Sequence, residues 1–260
     1  MSLKHILLAV AGAVTLATST TALAAPTYTV GTGATYRPFE FQTPSKEIVG
    51  FDIDLMKAIA KAQGFEVDFI NTLWGVIFES VRNGDRDMIM SGITITPARQ
   101  EAVDFSYPYF AAHQLILTQK NLKVNSIADL KGKNVAVVAN SAGDIVCSEA
   151  FGKASRNIKR FDNTPLALEE LSAGGVDAAV GDVGVFAYYA LQNPDKAFNQ
   201  TRDPSFKDQY FGIAVRKGNK EVLDQINAGL KKVIADGTYA KVYAKWFGEK
   251  TPVPKLPIPE

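Results

Sequence analysis

One arginine stands in a sequence context that favours an anion. Arg99 follows Thr96-Pro97, and a threonine N-cap followed by proline predicts a short helix beginning there. Free N–H groups at a helix start attract negative charge, and a guanidinium can clamp a carboxylate with two parallel hydrogen bonds. Thr94 lies in the loop just before this helix. The segment is a candidate carboxylate site, and a surface Arg99 paired with Glu101 or Asp104 fits the sequence equally well.

Two further loops carry polar groups at the ends of predicted strands. Ser141-Ala142-Gly143 follows an apolar strand pattern and opens a helical pattern, so its backbone N–H groups would be free. Asp182 ends another strand, and taken alone it fits better as the N-cap of the helix that carries Phe186. In open α/β sheets, ligands bind beyond the carboxyl ends of the strands. Together, N–H donors, a guanidinium and an isolated carboxylate suit a zwitterion.

The sequence lacks the residue sets of common catalytic chemistries. It has no G-x-S-x-G elbow and no G-x-x-x-x-G-K-[ST] phosphate loop. Gly31-Thr32-Gly33 follows a strand, but the third glycine of a dinucleotide fingerprint is missing, which favours a simple turn. With one cysteine and two histidines in the chain, a zinc site is not expected, and Cys147 is predicted to be a buried thiol. We predict no metal, no cofactor and no catalytic residue.

Short apolar runs alternate with amphipathic helical patterns, which predicts an α/β fold with largely parallel sheets. The sequence has no low-complexity linker, so we expect the chain to cross directly between two lobes near 113–119 and 209–214, with the last helices packing on the first lobe. Predicted strands are 28–31, 67–70, 88–90, 103–105, 115–118, 134–138, 158–161, 178–180 and 211–215. Predicted helices are 52–63, 75–82, 142–151 and 220–235. Three further helices are predicted to begin at 97, at 164 and just after Asp182, and a last helix, capped by Thr238, is predicted to end near Phe247.

The first 24 residues are predicted to be a signal peptide. Lys4 gives a positive start, residues 6–16 are apolar, and Ala22-Leu23-Ala24 matches a signal-peptidase site, with cleavage after Ala24. The apolar run is shorter than the roughly 20 residues needed to span a membrane. No cysteine lies near the cleavage site, so we expect a periplasmic protein without a lipid anchor.

Charge and the C-terminal composition limit the possible partners. The chain has 28 basic and 27 acidic residues. Removal of the predicted signal peptide, with its Lys4, leaves 27 of each, and no basic stripe is present. A nucleic-acid partner is therefore not expected. The tail, residues 251–260, contains four prolines and is predicted to be extended.

Several motifs resemble one known family. The residues that carry the resemblance include Gly50-Phe51-Asp52-Ile53-Asp54-Leu55, Ser91-Gly92-Ile93-Thr94-Ile95-Thr96-Pro97-Ala98-Arg99, Asp104-Phe105-Ser106, Pro38-Phe39-Glu40-Phe41 and Lys245-Trp246-Phe247-Gly248. In these motifs the chain resembles the bacterial extracellular solute-binding proteins of family 3, of the glutamine- and basic-amino-acid-binding type. The similarity runs from about residue 28 to 248.

The resemblance implies a two-lobed periplasmic-binding-protein fold of type II, with two strand crossings forming a hinge. Lobe 1 would comprise 25–114 and 211–250, lobe 2 would comprise 115–210, and 251–260 would be the extended tail. The implied partners are a free amino acid and the membrane permease of an ABC transporter, and we expect a monomer.

The resemblance also implies a role for each site residue. Arg99 would clamp the ligand α-carboxylate, helped by Thr94, Ser141 and the N–H of Ala142. Asp182 and the Gly92 carbonyl would hold the α-ammonium. Tyr36 would stack on the ligand side chain, and Trp74 stands beside the position where the family carries another aromatic residue.

Two departures from the family pattern bear on the ligand. Gly33 stands where the family commonly has an acid, and Leu73 stands where an aromatic residue is usual. We therefore expect a neutral polar L-amino acid, with glutamine as one candidate. The alternative is an exported dehydratase acting on a small cyclic carboxylate on the same scaffold. Glu79 is the acid that could donate a proton in such an enzyme, although it fits a surface position better.

Overall fold

A computed structural model describes residues 24–259, so the predicted signal peptide lies outside the described residues except for its last residue. The first elements are β1 (Thr27–Thr32), β2 (Thr35–Tyr36), β3 (Glu40–Gln42), β4 (Ile48–Val49), α1 (Phe51–Gln63), β5 (Glu66–Asn71), α2 (Ile77–Arg82), β6 (Met88–Ile89), α3 (Pro97–Ala102), β7 (Val103–Phe105), β8 (Phe110–Ala112) and β9 (Gln114–Thr118). They are followed by β10 (Val135–Val138), α4 (Ala142–Phe151), β11 (Ile158–Phe161), α5 (Thr164–Ala173), β12 (Ala178–Asp182), α6 (Val183–Gln192), β13 (Asn199–Thr201), β14 (Gln209–Phe211), β15 (Ala214–Arg216), α7 (Lys220–Ala235) and α8 (Thr238–Phe247).

Two open five-stranded sheets carry the fold. Their strand orders are β5-β1-β6-β15-β7 and β11-β10-β12-β9-β13. Strand β1 is parallel to β5 and β6, and β10 is parallel to β11 and β12. Strands β15 and β9 are antiparallel to both of their neighbours. The α/β prediction is confirmed, but the prediction of largely parallel sheets is wrong at one side of each sheet.

The antiparallel strands are explained by how the chain passes from one sheet to the other. Strand β8 leads directly into β9 and β14 leads back into β15, without the helical crossover that a parallel connection needs. β8 and β14 pair with each other, antiparallel, as a separate two-stranded sheet. The predicted strand at 211–215 is in fact two strands, and between them Gly212 donates its N–H to Ile93 O at 3.0 Å.

The long helices follow from their apolar spacing. In α1, Ile53, Met56 and Ile59 are buried on one face, and Gly64 ends the helix in a left-handed conformation with φ of 76°. In α7, the predicted core positions Val222, Ile226, Leu230 and Val233 are all buried. The prediction for the last helix is wrong at its start: Gly237 is the N-cap and Thr238 is the first helical residue.

Aromatic side chains fill the core next to the crossing strands. Phe110 of β8 and Phe211 of β14 stack at 5.7 Å, and Phe39 meets Phe110 edge to face at 4.8 Å. Such ring pairs add to the hydrophobic stabilisation of the buried surface. Cys147 is fully buried, as predicted, and burial raises the pKa of its thiol to about 12. Between residues 24 and 259 every helix is too short or too polar to cross a bilayer.

Candidate functional site

A cavity of about 430 Å³ lies between the segments that follow the strands of the two sheets. The loops after β1, β5 and β6 line it from one side, and the loops after β10, β11 and β12 line it from the other. Carboxyl ends of strands are the usual location of ligand sites in open α/β sheets. All eight predicted site residues belong to this lining: Tyr36, Trp74, Gly92, Thr94, Arg99, Ser141, Ala142 and Asp182.

Arg99 is held in the cavity wall by its backbone and its side chain. Thr96 caps α3 by accepting the Arg99 N–H at 3.2 Å, as the Thr-Pro signature predicts. The guanidinium donates to Thr94 O at 2.8 Å and, across the cleft, to Asn140 O at 2.9 Å. Its Cζ atom lies 5.4 Å from the Trp74 ring centroid.

The open alternative for Arg99, a surface ion pair, is wrong. Asp104 pairs instead with Lys217 at 2.8 Å, and the Arg99 guanidinium faces backbone carbonyls and aromatic rings. Burial lowers the pKa of Arg99 to about 10, opposed by the charge of Asp182, so the guanidinium is still charged at neutral pH. A guanidinium has five N–H donors, and two of them are used here, which leaves three for an anion.

Asp182 ends β12, occupies the N-cap position of α6 and is buried. The N-cap position agrees with the simpler prediction, but the side chain makes no capping hydrogen bond there. The carboxylate instead accepts from the Tyr36 hydroxyl and from Gln114 Nε2, the latter at 2.8 Å. Burial raises the pKa of Asp182 to about 6, while these donors and Arg99 act in the opposite direction.

Side chains on the first wall reach the second wall at three points. Tyr36 hydrogen-bonds Asp182, Trp74 donates from Nε1 to Ala139 O at 2.9 Å, and Arg99 donates to Asn140 O. Tyr36 also packs on Gly92, where a Cβ would lie 2.6 Å from the tyrosine ring and φ is +52°. Glycine at 92 therefore allows the ring to approach the backbone closely.

The second wall offers backbone donors at the start of α4. Ser141 is the N-cap and accepts the Asp144 N–H at 3.2 Å. Gly143 brings the helix against β12: an added Cβ there would lie 2.3 Å from Val180 O. The close approach places the first turn of α4 beside the strand end that carries Asp182.

Some lining residues escaped the sequence prediction. Glu40, Ser91, Asn71 and Asp162 line the cavity, and Gln114 holds the Asp182 carboxylate from β9. Ser91 and Gln114 could have been recognised as polar residues adjoining apolar strand runs. Asp162 is exposed and follows β11 directly. Asp162 therefore adds a carboxylate to the cavity lining, although the sequence analysis noted only the missing acid at position 33.

The acid nominated for the dehydratase alternative lies elsewhere. Glu79 is exposed, pairs with Arg82 at 3.4 Å and is not part of the cavity lining. Across residues 24–259, no group of three His, Cys, Asp or Glu side chains is arranged to hold a metal ion.

Two open α/β sheets joined by paired crossing strands, with a cavity between them, define the two-lobed periplasmic-binding-protein class. The sequence narrows the class further. Residues 28–249 match the model of the bacterial extracellular solute-binding proteins, family 3, and the chain belongs to this family.

Curated relatives and solved structures agree with this assignment. The chain is 42% identical over 224 residues to the "Probable histidine-binding protein" of Neisseria gonorrhoeae, covering 86% of this chain and 84% of that protein. It is 36% identical to the ABC transporter glutamine-binding protein GlnH of Bacillus subtilis, covering 82% and 78% respectively. The arginine-, lysine-, histidine-binding protein ArtJ of Geobacillus stearothermophilus superposes with a TM-score of 0.83 at 40% identity, covering 87% of this chain and 96% of ArtJ.

Proposed function

We propose that this chain is the periplasmic amino-acid-binding component of an ABC transporter, which holds a free L-amino acid between its lobes and presents it to a membrane permease. The names of its relatives support this proposal, because they include histidine-, arginine- and glutamine-binding proteins. The proposal includes export by the signal peptide at 1–24, a monomeric state, and lobes comprising 25–114 with 211–250 and 115–210.

One observation carries the proposal: Arg99 and Asp182 face the same cavity from opposite walls. A zwitterion carries a carboxylate and an ammonium on one carbon atom, and such a pair of fixed charges matches both. Arg99 takes the carboxylate with its remaining donors, together with the Thr94 and Ser141 hydroxyls and the Ala142 N–H. Asp182 takes the ammonium, with the Gly92 carbonyl as a second acceptor.

Closure of the lobes follows from the same charges. A ligand that contacts Arg99 on one wall and Asp182 on the other satisfies both of its ends only when the walls are close together. Desolvated charges cost free energy unless they are paired, so the zwitterion favours the closed state over the open one. The bonds from Trp74 to Ala139 O and from Arg99 to Asn140 O add to the closed state.

We further propose that the ligand is a neutral polar L-amino acid. The cavity lining also contains hydroxyl and amide groups from Asn71, Thr72, Asn163 and Thr164. These groups can donate and accept hydrogen bonds to an amide side chain such as that of glutamine. Asp162 also lines the cavity, and because its side chain is exposed, its charge is screened by the solvent. Tyr36 and Trp74 supply aromatic surface for the aliphatic part of the ligand.

A thermal-shift screen of the mature protein against the twenty amino acids tests the proposal. A true ligand at about 100 times its Kd stabilises the folded state by about 2.7 kcal/mol, which raises the Tm by several degrees. We expect glutamine or another neutral polar amino acid to give the largest shift, with Kd then measured by calorimetry. Absence of any shift with all twenty would refute amino-acid capture. A larger shift with arginine or lysine would refute the assignment of a neutral ligand while leaving capture intact.

A further inference from the structure

Two buried carboxyl groups lie at the first wall of the cavity. Glu40 of β3 and Asp52 of α1 are each 0% exposed, and the two carboxyl groups are neighbours, since the charge of Asp52 is one of the causes that raise the pKa of Glu40. Glu40 Oε1 accepts the Ser91 hydroxyl at 2.7 Å. Asp52 Oδ2 accepts the Gly92 N–H at 3.0 Å and the Tyr109 hydroxyl at 2.7 Å. One oxygen of each carboxyl group therefore has a donor from the surrounding structure.

The other two oxygens have no donor of that kind. Within the described chain, Glu40 Oε2 and Asp52 Oδ1 are buried and receive no hydrogen bond from any other group. Two ionised carboxylates in contact would repel each other, and each bare oxygen would lose its hydration without replacement. A single proton between the two oxygens removes both costs, because it makes one carboxyl a donor to the other.

The surroundings indicate which group holds the proton. Asp52 lies in the first turn of α1, where the helix dipole favours negative charge, and it has two donors. Glu40 has one donor, the Ser91 hydroxyl. Asp52 is therefore the better site for the charge, and Glu40 is the better site for the proton.

We propose that Glu40 and Asp52 share one proton in the folded protein, with Glu40 neutral and Asp52 ionised, and that this pair positions the Gly33 and Gly92 segments of the cavity wall. Ser91 links Glu40 to the first segment, since its hydroxyl oxygen accepts the Gly33 N–H at 2.9 Å. Asp52 fixes the second segment through the Gly92 N–H. Both residues act through the backbone of the wall, and this part of the inference rests on the proposed function.

Burial of the Glu40 carboxyl favours its protonated form, as proposed, and the negative charge of Asp52 acts in the same direction. Together they raise the pKa of the Glu40 carboxyl well above its ordinary value, and burial raises the pKa of Asp52 to about 6. The other titratable groups near the pair are the carboxyl of Asp182 and the phenols of Tyr36, Tyr109 and Tyr239. Burial raises the pKa of each of these phenols, so they stay protonated around neutral pH and add no competing charge.

Infrared spectroscopy of the ligand-free protein tests the proton directly. A protonated carboxyl absorbs at a C=O stretching band that is separate from the carboxylate bands, and ¹³C-labelled glutamate shifts that band if it belongs to a glutamate. We expect a labelled band at pH 7 that disappears in Glu40→Gln and persists in Asp182→Asn. If the band is missing at pH 7, or survives in Glu40→Gln, the shared proton is refuted. This experiment needs no ligand, so its outcome is independent of the proposed function.

Two variants test the positioning role. Glutamine at 40 can donate to Asp52 and accept from Ser91 as the neutral acid does, whereas Glu40→Leu leaves both partners unpaired. We expect Glu40→Leu to weaken binding of the amino acid found in the screen by about tenfold relative to Glu40→Gln. Equal affinities in the two variants would refute positioning.

The pH profile of stability separates a shared proton from simple packing. A carboxyl with a raised pKa stabilises the fold fully below its ordinary pKa, and that contribution is lost as pH rises towards the folded-state value. The parent Tm should therefore fall more steeply than that of Glu40→Gln as the pH is raised above the ordinary glutamate range. Parallel profiles of the two proteins would contradict the proposal.

Discussion

Replacing Arg99 by alanine should remove most of the affinity for the amino acid. The guanidinium keeps its place through hydrogen bonds to Thr94 O and Asn140 O and through its cation–π contact with Trp74. Without it, the ligand carboxylate would be buried in the closed cleft opposite carbonyl groups that cannot donate a hydrogen bond. Truncating one partner of a buried, hydrogen-bonded charge pair typically costs about 2–5 kcal/mol.

That free energy corresponds to a loss of affinity between roughly 30-fold and several thousandfold. The lower part of this range is expected if the Ser141 hydroxyl and the Ala142 N–H compensate in part. Arg99→Lys should lie in between, because an ammonium keeps the charge but loses the planar fork that binds a carboxylate with two hydrogen bonds. Isothermal titration calorimetry with the best amino acid of the screen gives the three values.

The matched control is Arg82→Ala, the same chemical change at an exposed residue that pairs with Glu79 outside the cavity. It should bind like the parent. Circular dichroism and thermal melting establish that each variant is folded. If Arg99→Ala binds within about threefold of the parent, a difference of only about 0.7 kcal/mol, the carboxylate clamp is refuted.

Three further predictions test separate parts of the site. Since burial raises the pKa of Asp182 to about 6, the affinity for the amino acid should fall as pH drops below 6, by up to about tenfold per pH unit, whereas the contribution of Asp182 to the stability of the ligand-free protein is retained at low pH and lost as pH rises through 6. Calorimetry on Asp182→Asn should show weak binding without this pH dependence. An unchanged slope of affinity against pH in the variant would contradict the role of Asp182. Gly143→Ala should lower the free energy of unfolding by about 1–3 kcal/mol through the clash with Val180 O, measured by urea denaturation, while the control Gly75→Ala, which meets no atom within 4 Å, should unfold near the parent midpoint. Binding of the ligand should change the fluorescence of Trp74, one of two tryptophans in the chain. The fluorescence change on titration should therefore persist in Trp246→Phe and vanish in Trp74→Phe. The reverse result would place the change outside the cavity.

Local rules predicted the parts of the site that depend on short stretches of chain. Thr96-Pro97 fixed the start of α3, and hence the position of Arg99, because capping involves residues only three apart. The family resemblance predicted the two-lobed fold, which the structural neighbours confirm. The residue roles inside the cavity remain predictions, although all eight predicted residues line it.

Sequence reasoning failed where a property depends on distant residues. Asp182 has the sequence context of an N-cap, yet its side chain bonds to Tyr36 and Gln114, which lie far away in the chain. The antiparallel strands β9 and β15 depend on the route of the chain between sheets, which apolar periodicity does not encode. The pairing of Glu40 with Asp52 likewise arises only when β3 and α1 are packed together.

The groups proposed to hold the ligand are also the groups that join the two walls. Asp182 accepts from Tyr36 across the cleft, and Arg99 donates to Asn140 O while keeping donors free. A closed, empty form stabilised by these bonds would exclude the ligand, so the apparent affinity falls in proportion to the fraction of molecules that remains open. The raised pKa of Asp182 limits this effect, because a carboxylate buried without a cation remains costly and the empty closed form keeps that cost. A ligand ammonium removes this free-energy cost by pairing with Asp182. The same carboxylate therefore disfavours closure of the empty cleft and stabilises closure around an amino acid.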